Sequence, residues 1–277
     1  MRLRIDLAYD GSDFHGWAAQ PGLRTVETVL ASSLGQVLRI EPVQLTCAGR
    51  TDTGVHARGQ VVHVDVDRDG PDLLAEGRTE PGVSVLLRRL NGVLPEDVRV
   101  LRVAEAAPGF DARFSASWRR YAYRVADAPE LVDPLTRRLV LPWPRRLDVD
   151  LMNRATHHLV GEHDFAAFCK KREGATTIRS VRDLAWARDA TGLAVLGVRA
   201  DAFCHHMVRS VVGLLMSVGE GRRAPGWAAE VLHAGVRDPA VSVAPARGLT
   251  LEEVGYPADA DLADHARSTR RVRVLRG

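Results

Sequence analysis

Apolar and polar residues alternate at the start of the chain. In residues 2–10, RLRIDLAYD, the residues Leu3, Ile5 and Leu7 fall on one side, the period-two pattern of a half-buried strand. The period then lengthens. In residues 25–39, TVETVLASSLGQVLR, apolar residues Val26, Val29, Leu30, Leu34, Val37 and Leu38 recur at helical spacing, with Thr25 placed to cap the first turn. Residues 43–49, VQLTCAG, and 59–67, GQVVHVDVD, read as two further strands, the latter with Val62, Val64 and Val66 on one side. VSVLLRRLNGVL, residues 83–94, gives a second helix, and VRVLRVAEA, residues 98–106, a closing strand. Strand, helix, strand, strand, helix, strand is the order of the split βαβ, or ferredoxin-like, unit.

The rest of the chain repeats that order loosely. WRRYAYRVAD (118–127) predicts a strand and LDVDLMNRATHHLVG (147–161) a helix ending at Gly161. VRDLAWARDA and GLAVLGVRADAF form a hairpin-like pair around Thr191 and Gly192. HHMVRSVVGLLMSVG (205–219) is a strongly apolar helix, and GLTLEEVGYP (248–257) supplies a last short strand. The expected fold class is therefore α+β, two ferredoxin-like (RRM-like) βαββαβ lobes with antiparallel sheets. The lobes are expected over residues 1–110 and 111–260, divided at the short turn Pro108–Asp111. Two unrelated α+β lobes are the alternative, since no residue-level repeat connects the halves. Residues 261–277 read as a basic, flexible tail, with five arginines and no acid after Asp264.

Composition narrows the class. At 277 residues, 45% hydrophobic and 26% charged, the chain has the make-up of a soluble globular protein. No apolar run reaches the length of a membrane span, and MRLRIDLAYDG enters a strand pattern without the apolar core of a secretion signal. Cytoplasmic is the expectation. Cys47, Cys169 and Cys204 are odd in number and widely spaced, so neither a disulfide framework nor a thiolate zinc site is indicated. A net charge of +3 leans mildly towards a polyanionic partner, or reflects an arginine-rich coding bias in a chain whose only lysines are Lys170 and Lys171.

The candidate chemistry is concentrated in CAGRTDTGVHARGQ, residues 47–60, which joins two strands of the first lobe. A lone acid, Asp52, sits among Gly49, Arg50, Gly54 and His56. Glycines let such a loop turn sharply. A lone carboxylate cannot be buried without a cationic partner, so Asp52 faces water or pairs with a cation, which would keep it ionised as a nucleophile requires. The spacing alone equally suits a structural turn held by an aspartate side chain. His56 admits a third reading, an Asp–His hydrolase, with or without a metal. Against a metal, no H-E-x-x-H spacing occurs, and the pairs His157–His158 and His205–His206 are neighbours on predicted helices, pointing about 100° apart. Phosphate-binding glycine loops and the G-x-S-x-G elbow are missing from the sequence.

Residues Ala48 to His56, AGRTDTGVH, resemble the active-site motif of the bacterial tRNA pseudouridine synthase A family. Further matches follow in order: YDGSDFHGW (9–17), GQVVHV (59–64), ARFSASWRRYAYRV (112–125), GEHDFAAF (161–168) and AFCHHMVRSVVG (202–213). The resemblance covers the chain up to Pro257 and implies an isomerase that converts uridine to pseudouridine at positions 38 to 40 of the tRNA anticodon stem-loop. It implies Asp52 as nucleophile and Tyr121 as the ring that packs on the target base. Arg209 falls on the arginine that pairs with the aspartate, Leu249 on an apolar active-site leucine, and Arg50 on the arginine assigned to base extrusion. Neither metal nor organic cofactor is expected. The resemblance further implies tRNA as the partner and a homodimer, and the site is expected in a cleft between the lobes. A stacked target must be flipped out, at a cost of a few kcal/mol that aromatic and arginine contacts offset. A non-catalytic RNA-binding protein of tandem RRM-like lobes is the remaining alternative, although no RNP-type aromatic consensus is found.

Overall fold

The structure, a computed structural model, describes residues 1–41, 43–67, 70–77, 79–170 and 176–270. It is a mixed α+β chain whose strands pair mostly antiparallel. Two compact units divide it: Met1–Ser117 together with the stretch from Leu251, and Trp118–Thr250. No helix among the described residues is long and apolar enough to cross a membrane.

In the first unit, β1 (Arg2–Tyr9) buries Leu3, Ile5, Leu7 and Tyr9 and turns Arg2, Arg4 and Asp6 outward, the alternation its sequence predicts. Helix α1 (Val26–Leu38) begins at a reciprocal cap: Thr28 N–H donates to Thr25 Oγ1 and Thr25 N–H to Thr28 Oγ1. It ends at Arg39, whose φ of 56° stops the helix. Strand β2 is only Thr46–Cys47, whereas β3 runs His56–Asp65 and starts three residues earlier than its apolar pattern suggests. A short α2 (Gly70–Leu74), not foreseen, precedes α3 (Gly82–Val93), and β4 (Val98–Glu105) follows.

The strand β3 pairs antiparallel with β1, placing Ile5 opposite Val62 and Leu7 opposite Gln60. On its other side β1 pairs antiparallel with β4, and β2 pairs antiparallel with β3. Residues 60–64 of β3 are all buried, so both faces are covered. His63 shows the second cover: its Nδ1 accepts the Ala112 amide at 2.9 Å and its ring lies edge-on to Phe110.

The second unit holds β5 (Trp118–Ala126), β6 (Leu141–Pro142), α4 (Val149–Thr156), β7 (Gly161–Asp164), β8 (Ile178–Arg188), β9 (Ala194–Ala200), α5 (Met207–Gly219) and α6 (Trp227–Ala234). The order β5-β9-β8-β7 is antiparallel throughout, with β6 parallel to the end of β5. The expected hairpin at Thr191–Gly192 is present: Asp189 Oδ1 accepts from the amide and hydroxyl of Thr191, and Gly192 has φ +90°. Helix α4 stops at Thr156, short of Gly161, because Gly161 (φ +113°) instead opens β7. The histidine pairs accordingly lie at helix ends: His157 caps α4, and His206 precedes α5 with φ 68°. Cys169 and Cys204, with Cα atoms 5.7 Å apart, are joined as a disulfide, a pairing that sequence spacing did not suggest.

Strand β10 (Leu249–Gly255) then crosses from one unit to the other, its residues from Leu251 belonging to the first. There it lies next to β3, and Gly59 is required for the fit, since a Cβ would stand 2.4 Å from the Glu252 carbonyl oxygen. The observed first unit thus ends at Ser117 rather than 110 and takes back a strand that local periodicity assigns to the second lobe. Of the expected tail, 262–269 form helix α7 (Leu262–Thr269), which buries Leu262 and Ala266. Arg270 pairs with Asp111 at 3.0 Å. Residues 271–277 lie outside the described residues.

Candidate active site

The loop carrying Asp52 is built by the segment 9–17 on which it lies. Trp17 N–H donates to the Thr51 carbonyl (3.0 Å) and Gly54 N–H to the Phe14 carbonyl (3.3 Å), so the turn is held on both sides of Asp52. Val55 N–H closes it onto the Asp52 carbonyl at 3.1 Å. Two close approaches demand glycine: a Cβ on Gly16 would stand 2.8 Å from the Thr51 oxygen, and one on Gly11 2.0 Å from the Val55 oxygen. Gly54 itself adopts φ +76°, in the left-handed region that glycine tolerates. Segment 9–17 is anchored in turn on α1, whose first amides, Val26 and Glu27, donate to the carbonyls of Gly16 and Trp17. The result is a half-exposed Asp52 beside an exposed Arg50, on a turn whose neighbours Thr51 and Val55 are buried.

His56 is buried, and its Nδ1 accepts the Gly11 amide at 3.1 Å, with Asp10 Oδ1 also 3.1 Å away. The Gly11 amide and the Asp10 carboxylate thus both meet the ring at Nδ1. The ring fastens segment 9–17 to β3, which is a structural task. Cys47, at the other end of the loop, has its thiol pushed up to about 12 by burial and stays protonated.

In the second unit Tyr121 lies on β5 opposite Val198 of β9, buried, with its ring edge-on to Phe203 at 5.1 Å. Tyr123 shares its face, fully buried, and its hydroxyl donates to the Pro245 carbonyl at 2.8 Å. Burial raises the Tyr123 pKa, so the phenol keeps its proton. Arg209 occupies the first turn of α5 and is the one residue of that helix that is not buried. Its Nε donates to the Ala244 carbonyl (2.7 Å), and the Ala244 amide donates back to the Arg209 carbonyl (3.0 Å). Gly213, one turn on, leaves room for this strap, since a Cβ there would lie 1.9 Å from the Ser242 oxygen. The strap continues to Gly248, flush against the Tyr123 ring, and then to buried Leu249. Segment 242–249 therefore ties together Arg209, Tyr123 and Leu249, three side chains far apart in sequence.

Asp52 and Arg50 thus belong to the first unit, and Tyr121, Arg209 and Leu249 to the second. Sequence reasoning missed Phe203, whose ring meets Tyr121, and Tyr9 and Gln60, which bond to Thr51 and Gly49 in the Asp52 turn. Gln60 left a signal, a polar side chain at an inward position of a valine-rich strand.

Comparison with known proteins first gives the class: residues 155–257 match the model of a family described as tRNA pseudouridine synthase. The chain is 56% identical over 274 residues to tRNA pseudouridine synthase A of Frankia casuarinae, covering 99% of this chain and 96% of that protein. With tRNA pseudouridine synthase A of Streptomyces griseus it shares 57% over 279 residues (100% and 95% covered), and with that of Mycobacterium leprae 49% over 278 (99% and 96%). The chain belongs to the tRNA pseudouridine synthase A family.

Proposed function

We propose that this chain isomerises uridine to pseudouridine in tRNA, with Asp52 as the nucleophile. The observation that carries the reading is a carboxylate kept half-exposed on a turn fixed at Thr51 and Gly54, in a chain more than half identical to synthases of that name. A nucleophile must be accessible yet immobile, because misplacement of about 1 Å can cost on the order of a hundredfold in rate. The reaction conserves atoms: the N1–C1′ bond breaks, the uracil turns, and a C5–C1′ bond forms. N1, which carries no proton in uridine, gains one from water, and the hydrogen from C5 passes to water, so the exchange balances.

The finer assignments extend this reading. Tyr121 is the ring that packs on the flipped base, Arg209 the counter-charge of the nucleophile, Leu249 an apolar wall and Arg50 the extruding group. The target uridines are positions 38 to 40 of the anticodon stem-loop, the enzyme is a cytoplasmic homodimer, and the chemistry uses side chains alone. Each unit is read as a ferredoxin-like βαββαβ lobe. Support in the first comes from the antiparallel pairs β4–β1, β1–β3 and β3–β2, with α1 and α3 in the crossovers. The decisive experiment is tritium release from C5-labelled uridine in tRNA. Asp52→Asn is expected to reduce release to background while circular dichroism and tRNA binding stay near wild type; turnover by a folded Asp52→Asn protein would refute the assignment.

A further inference from the structure

Beneath Asp52 lies a buried polar chain that the chemistry above does not use. Tyr9 Oη is 2.8 Å from Thr51 Oγ1, and Gln60 Nε2 is 3.3 Å from Tyr9 Oη and 2.7 Å from the Gly49 carbonyl. Tyr9, Thr51 and Gln60 are all buried. Its direction is fixed at the Gln60 end. The Gly49 carbonyl can only accept, so the amide NH2 of Gln60 faces it, and Gln60 Oε1 correspondingly accepts the Val61 N–H at 3.2 Å. The same NH2 donates to Tyr9, whose phenol proton is shared with the Thr51 hydroxyl in a bond that either oxygen can donate. Burial raises the Tyr9 pKa, so this proton is present throughout the neutral range.

We infer that Tyr9 and Gln60 are positioning residues that fix the Asp52 turn through Thr51, an inference that rests on the function proposed above. The chain reaches the turn at two points: Gln60 grips the carbonyl of Gly49, and Tyr9 grips the side chain of Thr51, immediately before Asp52. Trp17, whose ring lies 6.1 Å from that of Tyr9, holds the Thr51 carbonyl at the same time. Thr51 is thus fixed by side chain and main chain together, which leaves the next residue little freedom to swing. Stability alone does not ask for this arrangement. Replacing both partners of a buried hydrogen bond by apolar groups of similar shape is close to neutral, and phenylalanine opposite valine would fill the same space. The polar version specifies one position of the turn, a benefit that registers in rate.

The test compares Tyr9→Phe, Thr51→Val, their double variant and Thr51→Ser. Readouts are kcat and KM for pseudouridine formation, tRNA binding and thermal midpoint, with Asp52→Asn in the same assay. Tyr9→Phe and Thr51→Val are each expected to lower kcat about ten- to a hundredfold, with KM and tRNA binding unchanged. The double variant is expected to lose no more kcat than Tyr9→Phe, which already removes the bond to Thr51 along with the one from Gln60, and to regain stability relative to the singles because no Thr51 hydroxyl is left unpaired. Thr51→Ser, which keeps the hydroxyl, recovers most of the rate. Wild-type kcat in Tyr9→Phe, or rate losses that multiply in the double variant, would overturn the inference. Should Tyr9→Phe fail to fold, Thr51→Val against Thr51→Ser decides alone: equal rates in those two would reject it. Full activity of Asp52→Asn would strike the function itself, whereas an inactive Asp52→Asn beside a fully active Tyr9→Phe strikes only the relay.

Discussion

A single carboxylate is useful to this chain because its neighbours, rather than the acid itself, are immobilised. Asp52 stays half-exposed while Thr51 and Val55 are buried on either side. Gly16 is the sharpest residue-scale test, with φ +87° and room for no Cβ beside the Thr51 oxygen. Gly16→Ala is expected to cost about 1–3 kcal/mol in urea unfolding and to lower kcat as the turn is pushed aside; an unchanged midpoint and rate would contradict the packing described. Tyr121→Phe tests a different atom. It keeps the contact with Phe203 and loses only the hydroxyl, so stability should hold within about 1 kcal/mol while turnover falls if that hydroxyl moves a proton. Wild-type turnover would make the hydroxyl dispensable.

At the scale of elements, α5 depends on glycine where helices ordinarily gain from alanine. Alanine at an exposed helical site would add about 1 kcal/mol of propensity. At Gly213 its Cβ would collide with the Ser242 backbone oxygen, so Gly213→Ala is expected to destabilise by about 2 kcal/mol and to disturb the strap holding Arg209 and Leu249. A rise in thermal midpoint would show that the strap yields. The elements legible in sequence were those whose burial is periodic and local. β1 shows its buried residues at every second position, and α1 carries both an apolar stripe and a Thr cap. Helix α7 was hidden by arginine-rich composition, although Leu262 and Ala266 stand four residues apart on its buried face. Helix α6 was overlooked although Trp227, Ala228, Val231 and Leu232 share a face and Gly235 ends it at φ 64°. The membership of β10 was beyond local reading, because its place next to β3 depends on a glycine nearly two hundred residues earlier in the chain. The motif around Asp52 was visible as chemistry, but the polar chain under it was not, since Tyr9 and Gln60 look like ordinary strand residues until β1 and β3 are paired.

For the molecule as a whole, pH dependence follows from His63. Burial, followed by the nearby Arg2, lowers its pKa, and Ala112 N–H occupies the lone pair that protonation would need. The folded state therefore binds this proton less readily than the unfolded chain, in which histidine titrates near 6.5. The contribution to stability is full above that value and declines as pH falls below it. His63→Gln retains an acceptor for Ala112 and should fall less in thermal midpoint than wild type on acidification; equal falls would remove His63 as the cause. The interrupted course of the first unit, which closes only with the stretch from Leu251, bears on biosynthesis. A ribosome must make all of Trp118–Thr250 before that strand emerges, a wait on the order of ten seconds at ordinary elongation rates. Until then β3 has only the two-residue β2 on the edge that β10 will share, and a nascent chain arrested before Leu251 would present the stretch around Gly59 to solvent or to a chaperone.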